Sequence, residues 1–143
     1  MTTPLALPPN VEALVSAFLR DQVEISDIVD DRVYTAIPST PTYPLLRVTL
    51  LDSIAHTGPS WGGQFFVQVE AFGGSKGDAW RAAATAIAVM SARITGTHPE
   101  GVVNGVTSSG IRDVPDEDHE PNKPRFLFTA TLYARPVANV SAS

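Results

Sequence analysis

The run Gly58-Pro59-Ser60-Trp61-Gly62 fits the G-x-S-x-G pattern of serine hydrolases. In that chemistry the serine sits on a strained strand-to-helix elbow that exposes its hydroxyl beside a base and an oxyanion hole. Here the motif leads into a strand over residues 64–72 instead of a helix, and the chain is short for such a fold. The run therefore reads as a hairpin loop that uses glycine and proline for its turn. A second stretch, Gly73-Gly74-Ser75-Lys76-Gly77-Asp78, lies between a strand and a helix, where glycines before a helix N-terminus can cradle phosphate. The spacings G-x-x-x-x-G-K-[ST] and G-x-G-x-x-G are both absent, and Asp78 in the first turn would repel an anion. A tight turn followed by a helix cap accounts for it.

Asp113, Asp116, Glu117, Asp118, His119 and Glu120 form an acidic cluster. Carboxylates hold calcium or magnesium when a loop aims them inward, but the D-x-[DN]-x-[DN]-G spacing is not met and prolines interrupt the segment. It reads as a solvated or interface loop. Its functional alternative is a patch that repels DNA or meets a basic partner surface. The histidines, His56, His98 and His119, are far apart and lack the spacing of a zinc site. No catalytic residue, metal ligand or cofactor follows from these residues. Trp61, in a loop, is a candidate contact residue because exposed tryptophan is enriched at interface hot spots.

Composition agrees with a part more than a catalyst. The 143 residues suit one domain, 43% hydrophobic and only 17% charged, a slightly charge-poor surface of the kind that is partly buried against partners. There is no cysteine, which excludes disulfides and thiolate metal sites. The net charge is -5, with the ten basic residues scattered, so wrapping nucleic acid is disfavoured. A protein past which DNA slides is not. The first residues lack the basic and apolar regions of a signal peptide, and no segment approaches the roughly 20 apolar residues of a membrane span. Cytosolic synthesis and use, alone or in a particle assembled there, is expected.

The elements that must position these residues follow from periodicity. Residues 1–9 are proline-rich and read as an arm. Asn10 caps a first helix ending near Asp21, with Val11, Leu14, Val15, Phe18 and Leu19 on one face. Ile25, Ile28 and Val29 suggest one further helical turn. Strands are expected at 32–37, 45–51, 64–72, 102–106 (extending towards 111) and 125–134, with a polar excursion over 52–63 and an acidic loop over 113–124. A second helix over 76–93 starts at Ser75, ends near Gly96, and turns Trp80, Ala83, Ala84, Ile87, Met90, Ser91 and Ile94 to the core. Residues 136–143 read as a tail. The expected fold is a single α+β domain over 1–143: an antiparallel or mixed sheet of about five strands, two main helices packed on one face, and the first and last strands at open edges.

Three segments together carry a resemblance: Val11-Glu-Ala-Leu-Val-Ser-Ala-Phe-Leu, then Val29-Asp-Asp-Arg-Val-Tyr-Thr-Ala-Ile-Pro, then Tyr43-Pro-Leu-Leu-Arg-Val-Thr-Leu. With Val67-Gln-Val-Glu-Ala-Phe and the helix from Asp78, their order and spacing over residues 11–135 resemble the tail terminator (tail completion) proteins of long-tailed phages. The resemblance implies a non-enzymatic virion subunit forming a ring, usually hexameric. Such a ring caps the tail tube, stops its polymerisation and joins it to the head–tail connector or stopper protein, in the neck of a virion assembled in the host cytoplasm. DNA would pass through the bore without specific binding, and no membrane or cofactor is involved. Under this reading the contact residues are the proline-rich arm, the loop bearing His56 and Trp61, and the acidic loop with Asp113, Asp116, Glu117 and Asp118. Other readings stay open: a different connector, stopper or minor tail protein, a small hydrolase using Ser60, or a ligand-binding α+β module.

Overall fold

Asn10 opens the first helix as its composition demands. Its side-chain oxygen accepts the Ala13 N–H, and α1 runs Val11–Arg20. Leu14, Val15 and Leu19 are fully buried, each contributing about 1.5–3 kcal/mol of apolar burial. A second helix, α2, covers Val23–Val29 and buries Ile25 and Val29. The computed structural model describes residues 7–56, 62–115 and 123–137. Of the arm, Pro9 is buried against Gly101, where an added Cβ would meet its ring at 2.6 Å, while Leu7 stands exposed.

The strands are β1 (Val33–Tyr34), β2 (Leu45–His56), β3 (Gly62–Phe72), β4 (Gly96–His98), β5 (Gly101–Ser108), β6 (Arg112–Asp113) and β7 (Arg125–Arg135). They form one mixed sheet in the order β1-β2-β3-β7-β5-β4, with β6 also on β7. Only β1 and β2 run parallel; the other pairs are antiparallel. The sheet is larger than the expected five strands. The last strand, expected at an edge, lies in the middle between β3 and β5, and on it Phe126, Phe128, Ala130, Leu132 and Ala134 are all buried. The 32–37 strand shrinks to Val33–Tyr34. The supposed polar excursion after Leu51 is a continuation of β2, because a bulge between Leu50 and Asp52 inserts one residue and breaks the alternation without ending the ladder.

The long helix α3 (Lys76–Arg93) begins where expected, with the Ser75 hydroxyl accepting the Asp78 N–H. Gly73 is required in the turn before it: a Cβ there would lie 2.5 Å from the Ser75 carbonyl and 2.6 Å from the Ala79 nitrogen. The buried stripe is Ala79, Ala82, Ala83, Ala86, Val89 and Met90, so Trp80 is not core; it is half exposed. Its ring meets Phe126 edge-on at 5.6 Å. Ala83, Met90 and Ile94 are buried as expected, while the centre of the stripe is turned from the expected face by one residue, about 100°. The helix ends on Ile94 as C-cap, and Gly96, at φ 139°, opens β4 instead of capping. α1 and α3 cover one face of the sheet, and α2 packs against both of them. The core formed there includes Val11, Leu14, Val48, Val67, Val69, Phe128 and Leu132.

Candidate assembly surface

Every strand residue not turned to the helices faces a second, helix-free side. Cross-strand partners share a face, so the register assigns this side. Working along the sheet, it carries Thr49, Gln68 and Thr129, then Phe66, Thr131 and Thr107, then Gln64, Tyr133 and Gly105. Two charged residues share this face, Asp52 opposite Phe66 and Arg135 two residues beyond Tyr133. Ile54 lies at the same end and is 49% exposed, and Tyr133 is 39% exposed. The surface is a broad, hydroxyl- and amide-rich platform with an apolar corner.

At the far end charge is internally matched. Glu70 is buried at 2% exposure and is gripped by two arginines. Arg47 donates from Nε at 2.7 Å and from a terminal nitrogen at 2.8 Å, a fork across both carboxylate oxygens. Arg125 donates from Nε to Oε2 at 2.7 Å and from its other arm to the Val114 carbonyl. Both guanidinium groups lie against the Phe72 ring, at 5.5 and 5.9 Å. The planar fork suits arginine and would not be met by lysine. Sequence reading missed this triad. The available signal was a single charge inside each of three apolar strands.

On the opposite side, α3 presents a groove of about 460 Å³ lined by Trp80, Ala84, Ala88 and Ala92 and closed by Arg93. Arg93 donates to Glu24 at 2.9 Å and to Gln22 at 3.0 Å, tying α3 to α2. Hydrogen bonding to Arg93 holds the Glu24 carboxyl below its ordinary value and raises Arg93. Among the described residues no cluster of His, Cys, Asp or Glu could hold a metal ion. Among the described residues no helix is long and apolar enough to cross a membrane.

Of the contact residues expected from sequence, His56 and Asp113 are described, at two ends of the sheet. His56 is the last residue of β2, its backbone opposite Gly62. Ser60, Trp61, Asp116, Glu117 and Asp118 lie outside the described residues. Asp113 lies on β6 opposite Phe126 and pairs with Lys76 at 3.0 Å, tying β6 to the start of α3. Gly63 and Ala71 on β3 mark the rows next to His56 and of Asp113, and eight residues of strand separate them by about 27 Å. The structure thus does not bring His56 and Asp113 together.

No family model matches the sequence, and no curated protein matches it. Among solved structures, a chain from the virion of a native gene transfer agent particle has the same fold. The TM-score is 0.66 at 16% identity, covering 87% of this chain and 94% of that one. The shared fold spans nearly the whole of both chains.

Proposed function

We propose that this protein is a non-enzymatic structural subunit of a phage-like virion, and within it a tail terminator. Copies form a ring, with hexameric stoichiometry taken from the sequence resemblance. The ring sits on the last tier of tail-tube subunits, stops their polymerisation and offers its other side to the head–tail connector. The observation that carries the reading is the near full-length fold likeness to a virion chain, joined to the order of the terminator-like segments over residues 11–135.

The mechanism is geometric. A tube protein adds subunits until something covers its growing face. A ring that matches that face on one side only ends the polymer, and a closed ring needs a head-to-tail contact in which one patch meets a different patch on the next copy. DNA crossing the bore requires a surface that does not hold phosphate. The net charge of -5 and a helix-free platform without clustered basic residues around Phe66 and Thr131 both suit that task, since tight binding depends on clustered Lys and Arg. Contacts to neighbouring proteins are assigned to the His56–Trp61 turn and to the acidic segment with Asp113, Asp116, Glu117 and Asp118. His56 and Asp113, at opposite ends of the sheet, suit one segment to the tube and the other to the connector.

Light scattering and negative-stain microscopy of the purified protein test the ring. Annular particles of uniform diameter are expected. A monomer at every concentration, or a helical filament, would be incompatible with a terminator.

A further inference from the structure

Both outer edges of the sheet are bare, and they are bare at the same level. β1 covers β2 only at Leu46 and Arg47, leaving the edge from Val48 to His56 without a strand partner among the described residues. On the other side β4 covers β5 only at Gly101, Val102 and Val103, leaving Asn104 to Ser108 unpaired in the same sense. The register ties these segments row by row. Leu50, Val67, Ala130 and Ser108 share a row, then Asp52, Phe66, Thr131 and Thr107. Ser53, Phe65, Leu132 and Val106 follow, then Ile54, Gln64, Tyr133 and Gly105.

An exposed strand edge is a template for another chain, and proteins that stay monomeric blunt it with lysine, proline or a covering element. The β2 edge carries neither lysine nor proline over Val48 to His56, and Leu51 and Ile54 are exposed on it at 51% and 49%. Two features limit it. The bulge bends it between Leu50 and Asp52, and the Glu12 carboxylate accepts the Leu50 N–H at 2.8 Å. The usable stretch is therefore Asp52 to His56. Strand direction completes the match: β2 and β7 run one way, β3 and β5 the other. Rotating a copy about an axis along the strands sets its β5 antiparallel to the β2 of its neighbour, without a shift along the axis. Repetition of that operation closes into a ring.

We propose that the occupant of the β2 edge is a second copy of this chain, docked through its β5 edge, so that Asp52–Ala55 of one subunit pairs with residues 104–107 of the next and the sheets join into one continuous wall. This rests on the ring reading given above and specifies the contact that builds the ring. A two-fold pairing of β2 with β2 is the competing arrangement; it leaves the β5 edge bare.

The chain has no cysteine, so disulfide trapping is clean. Asp52 and Thr107 are exposed, share the helix-free face and lie three strand spacings apart within a chain, about 14 Å, beyond the roughly 7 Å Cα reach of a disulfide. The doubles Asp52→Cys/Thr107→Cys and Ile54→Cys/Thr107→Cys sample neighbouring registers. After oxidation, a non-reducing gel should show a ladder of covalent oligomers for at least one double and monomer for each single variant, with circular dichroism unchanged. Rings by microscopy without a ladder from either double would overturn this contact while leaving the tail role standing. A disulfide dimer from Asp52→Cys alone would overturn it in favour of two-fold pairing. Absence of any ring would remove both the contact and the reading beneath it.

Discussion

Glu70 shows how much a single side chain holds in this fold. Its carboxylate neutralises one of two guanidinium groups that otherwise face each other across β3, on the side no helix covers. Removing it leaves Arg47 and Arg125 as partly buried like charges around Phe72. Breaking a buried ion pair by deleting one partner costs about 3–5 kcal/mol. Glu70→Ala is expected to lie near the lower end of that range, about 3 kcal/mol, because the arginines retain some solvent, and chemical denaturation measures it directly. Replacing Arg47 with Lys should also destabilise, though less, since an ammonium cannot span both carboxylate oxygens. The triad was hidden in the sequence because pairing across strands is set by register, which no residue's type discloses. The exposed Glu24–Arg93 pair acts in the opposite regime. Since its folded value is depressed, the stability it contributes is present above the ordinary Glu range and is lost as pH falls through the lowered value.

At the scale of elements, strong periodicity and clear caps made α1, α3, β3 and β7 legible. Asn10 and Ser75 cap as expected, and α3 spans Lys76–Arg93 as read. What failed had physical causes. An alanine-rich helix offers little contrast between its faces, so its inner stripe was misplaced by one residue and Trp80 was put in the core. The bulge in β2 disguised a twelve-residue strand as a shorter strand and a loop. β4 and β6, at three and two residues, are too short to show a period. The alanine stripe sets how closely α3 approaches the sheet, and this can be tested. Ala86, with no exposure, leaves no space for a larger side chain. Ala86→Leu should cost about 1–3 kcal/mol by overpacking, lowering the melting temperature by roughly 3–10 °C, as read by calorimetry.

For the molecule as a whole, the layer arrangement was readable and the sheet order was not. Helices on one face follow from apolar stripes and alternating strands. Placing β7 in the centre depends on non-local pairing between residues far apart in sequence. The same is true of the assembly surface. Sequence pointed to the loop bearing His56 and Trp61 and to the acidic segment, whereas the described residues add two level strand edges without an outer partner and a hydroxyl- and amide-rich platform that only the register exposes. These features share one logic. Chemistry is absent from the proposed role, and shape with edge complementarity carries it. As proposed, the ring ends a growing tube. The direct test is to polymerise tail-tube subunits from the same source with increasing amounts of this protein and measure tube lengths by electron microscopy. Tubes are expected to stop growing in proportion to the amount added, each with one extra tier at one end. Tubes of unchanged length with bare ends, in the presence of intact rings, would contradict it.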